Sequence, residues 1–205
     1  MQKKDLETIK QVFDKFGVDF VLVYGAVLGH HRDGDFIPHD DDVDLAVIDP
    51  IDLKTRKAIG WALYDLGFEP QDILFNVFGR MEPSEIGYNG DEETGIIVCK
   101  RNFNFTIFFF KQEFCGIHGQ EMVCIPKLGA LKLISSPVRF YAAMDKIKIG
   151  KHRYFVPTPV EKYLEFTYKD WKDRDGRDHG ETYQIMHGDK QMLDIEGKNE
   201  ATIMK

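Results

Sequence analysis

The chain is poor in several things that would have settled its class at once. Cysteine occurs three times, as Cys99, Cys115 and Cys124, at spacings that match neither a zinc motif nor a CxxC pair. That excludes a disulfide scaffold and points to reduced thiols in a reducing compartment. No apolar run is long enough to cross a bilayer; the longest, Phe105–Phe110, is broken by Thr106. The first residues, MQKKDLETIKQVFDKF, contain no signal-peptide core. The expectation is a soluble, cytoplasmic protein. A basic excess is also missing: the net charge is −7 and the pI near 5.5, which argues against a general nucleic-acid binder. A small anionic substrate stays open, because charge at one site can oppose the sign of the whole.

What is present is apolar material for a core. Of 205 residues, 43% are hydrophobic and 16 are phenylalanine, enough for one domain. Leu6, Ile9, Val12, Phe13 and Phe16 recur at helical spacing, and Gly17 stops the run. VDFVLVY (18–24) reads as a strand ended by Gly25. AVLGHHR is a short helix candidate, DGDFIPHD a loop, and DVDLAVI (42–48) a second strand. Asp52 caps a helix over 53–66 that Gly67 closes. Strands are expected at 73–79, 94–99, 103–111 and 121–125, with a loop over 80–93. Ser136-Pro137 reads as the start of a helix through VRFYAAMDKIK, and Thr158-Pro159-Val160-Glu161 as a capping box for another. Residues 173–205 are polar and glycine-containing, a tail or docking arm.

The chemistry concentrates in YGAVLGHHRDGDFIPHDDDVDL (24–45), where four aspartates fall within residues 40–44. On a strand, Asp42 and Asp44 share one face, about 6.5–7 Å apart. Val43, Leu45 and Val47 face the core. A buried strand presenting two carboxylates needs a counter-charge, and a divalent cation supplies it most simply. A calcium loop fails, because Leu45 and Ile51 stand where Gly and Glu are required. The HRD of residues 31–33 lacks the asparagine of a kinase catalytic loop, since Pro38 occupies that place. His30, His31 and His39 have no spaced partner motif for zinc. A glycine that opens a helix, with its free N–H groups, followed by a strand bearing Asp-x-Asp, is the plan of a nucleotidyltransferase site.

The segment resembles the LicD/fukutin family of phosphotransferases, whose signature runs approximately G-T-L-L-G-x-x-R-x-G-x-F-I-P-W-D-D-D-I-D. The matching positions are Gly25, Ala26, Val27, Leu28, Gly29, Arg32, Gly34, Phe36, Ile37, Pro38, His39, Asp40, Asp41, Asp42, Val43 and Asp44, without a gap. TIFFFK (106–111) and VPTPVEKYLEFTYKDW (156–171) resemble two further family segments, so the likeness spans roughly residues 4–172. It implies an α+β fold: a nucleotidyltransferase-like mixed sheet flanked by helices, with a helical C-terminal part. It implies Mg²⁺ or Mn²⁺ on Asp42 and Asp44, and Asp40 as a further ligand or a loop acid. It implies transfer of a phospho-alcohol, of the phosphocholine or ribitol-phosphate type, from a CDP-activated donor to a glycan or sugar acceptor. The alternatives are transfer of NMP from an NTP, or a degenerate member that only binds.

Gly25 and Gly29 are candidates for close approach to phosphate or for helix-start geometry alone. Arg32 is a candidate phosphate ligand or an ion-pair partner of the aspartates. His31 and His39 are candidates for nucleotide contacts or for bases, or are plain loop residues. Tyr168 and Trp171 read as core of the last helix, and Lys127 and Lys132 as solvent-facing or substrate-facing. One departure stands out. The family's later strand carries an aspartate where this chain has Thr106, and Asp41 and Glu113 are the other acids that could replace it.

Overall fold

The computed structural model describes residues 2–38, 40–70, 96–115, 120–124, 135–168 and 170–172. Helix α1 (Gln2–Phe16) buries Leu6, Ile9, Val12 and Phe13 as their spacing requires, while Phe16 is 38% exposed. Asp5 is buried on the same helix at 1% exposure. Its carboxylate accepts hydrogen bonds from the backbone N–H and side-chain amide of Asn102, at 3.0–3.1 Å. A buried carboxylate is stable only with such partners, and here they clamp the helix to a distant turn.

After Gly17 (φ +65°) comes β1 (Val21–Leu22). The strand expected over 18–24 shrinks to two paired residues, because the chain turns into α2 (Tyr24–Asp33) as soon as it leaves the sheet. Gly34 closes α2 at φ +77°, donating its N–H to the His30 carbonyl. Next are β2 (Asp42–Val47) and α3 (Leu53–Asp65), whose cap Asp52 accepts from the Thr55 N–H at 2.7 Å. The strand expected at 73–79 and the loop at 80–93 lie outside the described residues, as do Lys127, Lys132, His39 and the segment 173–205.

The remaining elements are β3 (Glu69–Pro70), β4 (Ile96–Lys100), β5 (Asn104–Phe109), β6 (Lys111–Cys115), β7 (Gln120–Cys124), β8 (Ser135–Pro137), β9 (Asp145–Ile149), β10 (His152–Val156) and α4 (Val160–Tyr168). The expected strand 103–111 is therefore two. It breaks at Phe110, whose N–H donates to the Val47 carbonyl at 2.9 Å before the chain enters a second sheet.

Seven strands form one mixed sheet in the order β3-β4-β5-β2-β1-β10-β9, and β6-β7-β8 form a separate antiparallel sheet. The pairs β2–β5 and β1–β10 are parallel. An α+β architecture with helices about a mixed sheet is thus what the residues build.

The helix expected from Ser136-Pro137 is not formed. Ser135–Pro137 pairs with β7, Val138–Phe140 makes a single 3₁₀ turn, and DKIKIGKHRYFV becomes the β9–β10 hairpin. The physical reason lies in the pattern IKI…RYFV, which alternates with period two around Gly150 (φ +60°). Helix α4 does follow, but without the capping box: the Thr158 hydroxyl accepts instead from the Asp145 N–H at 3.0 Å.

Candidate active site

The centre of the site is the parallel pair β2–β5. Its register sets Asp42 opposite Asn104 and Asp44 opposite Thr106. Side chains alternate along a strand, so these four and Phe108 share one face of the sheet. Val43, Leu45 and Val47 are buried on the other side and hold β2 in the core. Asn104 was not singled out by sequence reasoning. Its signal was its place two residues before Thr106 on the same strand face.

Asp40, Asp41 and Asp42 each offer a carboxylate oxygen within 4.8 Å of the others. The structure therefore brings Asp40, Asp41 and Asp42 together, while Asp44, paired with Asp42 in the sequence reading, is not in that group. Asp44 lies deeper on the strand and is partly buried. Burial pushes the Asp40 carboxyl up to about 7, with the Asp42 charge adding to it. Burial also raises Asp42, helped by Asp41, while a hydrogen bond from Asp40 works the other way. Asp44 is pushed well above the carboxylate range by burial, then by Asp42 and Asp40; the facing Thr106 hydroxyl opposes this. Carboxylates crowded this closely hold a proton unless a cation replaces it. The donors are all hard oxygens, which fits Mg²⁺ or Mn²⁺.

The start of α2 forms the rim. Val23 donates its N–H to the Asp44 carbonyl at 3.1 Å, which ties the helix entry to β2. The N-cap residue Val23 offers no side-chain cap to α2, and the Tyr24 N–H donates instead to the Tyr163 hydroxyl at 3.0 Å. Gly25 lies against the Asp40 carboxylate so closely that a β-carbon would collide with it. Gly29 makes a different close approach. A β-carbon there would come within 2.8 Å of the Asp35 carbonyl oxygen and the Ile37 nitrogen, so its bare α-carbon seats the 35–37 loop on the helix.

Arg32 has a side chain only 8% exposed, and its Nε donates to Asp33 at 2.9 Å. His31 is placed at the other end of α2 from Gly25. Its ring meets Trp171 edge-on at 5.2 Å, and its Nε2 is 3.9 Å from Glu161. Tyr168, at the end of α4, has its phenol raised by burial first, and then by Asp44, Asp40 and Asp42. Glu113 is on β6, in the separate sheet.

A comparison with curated proteins matched none of them. Among solved structures, the chain resembles the lincosamide antibiotic adenylyltransferase LnuA in its lincomycin-bound crystal form, at 13% identity and a TM-score of 0.48. That match covers 89% of this chain and 95% of the other. No helix among the described residues is long and apolar enough to cross a membrane. The resemblance carried by residues 25–44 is borne out: residues 17–74, which hold α2, the aspartate cluster and β2, match the LicD/FKTN/FKRP nucleotidyltransferase domain.

Proposed function

We propose that this protein is a metal-dependent transferase that moves a phospho-alcohol, of the phosphocholine or ribitol-phosphate type, from a CDP-activated donor to a glycan or sugar acceptor, with release of CMP. The observation that carries the reading is the group of crowded carboxylates of Asp40, Asp41 and Asp42, with Asp44 further along β2, set beside the start of α2 within the family-matching segment. Asp42 and Asp44 would hold Mg²⁺ or Mn²⁺, with Asp40 supporting. The bound ion would neutralise the donor's phosphates and the charge that develops on transfer. The N–H groups that follow Tyr24 on α2 would receive phosphate oxygens. The β2–β5 pair would keep these groups in place, because both strands lie inside the sheet.

The test is product analysis. Wild type with Mn²⁺ and CDP-choline or CDP-ribitol should release CMP, and Asp42→Ala/Asp44→Ala should not. Pyrophosphate released from an NTP would replace this reading with NMP transfer. A second reading, a family member that binds without turnover, is favoured by one observation. The described part of β5 presents Asn104, Thr106 and Phe108 to the site, and none is a carboxylate.

A further inference from the structure

Tyr24 combines several features that core packing alone does not require. It is the one non-glycine residue among those described with a left-handed backbone, at φ +50°. Such a conformation is costly for a residue with a side chain and persists only where its surroundings impose it. The residue is 3% exposed, yet its hydroxyl has no hydrogen-bond partner. Phenylalanine would pack in that place without stranding a polar group, and buried hydroxyls are rarely left unpaired.

The ring meets Phe108 edge-on at 6.0 Å. Phe108 follows Thr106 on the face that carries Asp42 and Asp44. Burial raises the phenol first, then Tyr141, then Asp44, the one carboxylate among the groups acting on it. The backbone on either side is pinned, by Tyr163 at the Tyr24 N–H and by Asp40 against Gly25. Tyr141, which also acts on the Tyr24 phenol, likewise has an unpaired hydroxyl; burial pushes it up to about 12, and Ser136 and Tyr163 oppose this.

A phenol is neutral at physiological pH and is a hydrogen-bond donor. Buried against the sheet face that carries Asp42 and Asp44, and without a partner of its own, it suits an oxygen of a ligand held by those acids. We propose that Tyr24 donates a hydrogen bond to a phosphate oxygen of the nucleotide-activated donor bound at the aspartate site. This rests on the reading of that site given above. Its role would be to orient the phosphate, and the unpaired state of the free protein is the consequence of keeping that donor ready.

The experiment compares wild type, Tyr24→Phe and Tyr141→Phe as full chains. The probes are MnCl₂ alone and CDP with MnCl₂, by calorimetric titration, with thermal melting alongside. Tyr24→Phe should bind Mn²⁺ within twofold of wild type and bind CDP with Mn²⁺ about tenfold more weakly, the loss expected for a hydrogen bond to a charged acceptor. Its melting temperature should be equal or higher, because an unpaired hydroxyl is removed. Tyr141→Phe should leave CDP binding unchanged. Undiminished CDP affinity in Tyr24→Phe would overturn the assignment. So would an equal loss in Tyr141→Phe, a matching loss of Mn²⁺ affinity, or a fall of several degrees in melting temperature. A wild type that binds no CDP with Mn²⁺ would overturn the reading of the site and this inference together. A wild type that binds it, with Tyr24→Phe its equal, would overturn this inference alone.

Discussion

Asp44 on β2 stands directly across the parallel strand pair from Thr106 on β5, and the threonine hydroxyl favours its charged form. The position that the family resemblance marks for a carboxylate is therefore the facing one, and it carries a weaker, neutral group. Thr106→Asp would place a further acid opposite Asp44, where a cation held as proposed would meet it. We expect Mn²⁺ affinity to rise on the order of tenfold, because affinity follows the number of charged ligands. Without metal, the melting temperature at pH 7.5 should fall. Calorimetry and melting curves check both. A variant that turns over where wild type does not would select the binding-only reading, whereas turnover by wild type would exclude it.

The two glycines of α2 should behave differently. Gly29→Ala sets a β-carbon against backbone atoms of residues 35 and 37, which cannot swing away. The expected cost is about 1–3 kcal/mol in urea unfolding. Gly25→Ala meets only the Asp40 side chain, which can rotate. That variant should keep its stability and bind Mn²⁺ less well. Equal losses of stability in the two would contradict this division.

The crowded acids predict an unusual pH profile. Asp40 rises from an ordinary 3.8 to about 7, and Asp42 and Asp44 move the same way. Between those values the folded, metal-free chain holds more protons than the unfolded one, so these groups make stability fall as pH rises through that window. Saturating Mn²⁺ should flatten the decline, and Asp40→Asn should remove much of it. Asp35 is lowered by its hydrogen bond from Lys3 and has the opposite sign: its contribution is present above its ordinary value and is lost as pH falls below it. Melting temperatures from pH 4.5 to 7.5, with EDTA and with Mn²⁺, provide the measurement.

Asp5 predicts a loss of stability far from the acids. Asp5→Ala leaves the Asn102 donors without their acceptor, which should cost about 2–3 kcal/mol in urea unfolding. Burial also pushes the nearby Cys99 thiol up to about 12, with Asp5 adding to the shift. In the native protein Cys99 should resist thiol reagents at pH 8, and it should become reactive only on unfolding.

Local rules accounted for much of the fold. The stripe Leu6, Ile9, Val12, Phe13 specifies α1, Asp52 and Gly67 delimit α3, and the alternation from Asp42 to Val47 specifies β2 with its two carboxylates on one face. Each depends on periodicity or capping, which act within a few residues. The β9–β10 hairpin shows where such rules conflict. Ser136-Pro137 is a sound helix start in isolation, but the following residues have a partner at β1, paired Val21 with Phe155, that no local window contains. The site divides in the same way. The Asp-x-Asp pair and its family likeness are written in one continuous segment. Asn104 and Thr106 on β5 face it only because the sheet sets β5 beside β2, and Tyr163 on α4 meets Tyr24 only because α4 returns to the start of α2. The sequence by itself determined the carboxylates and the strand face that Asp42 and Asp44 share. Tertiary structure decided which neutral groups face them, because strand register and helix packing are set by contacts between residues sixty to more than one hundred positions apart.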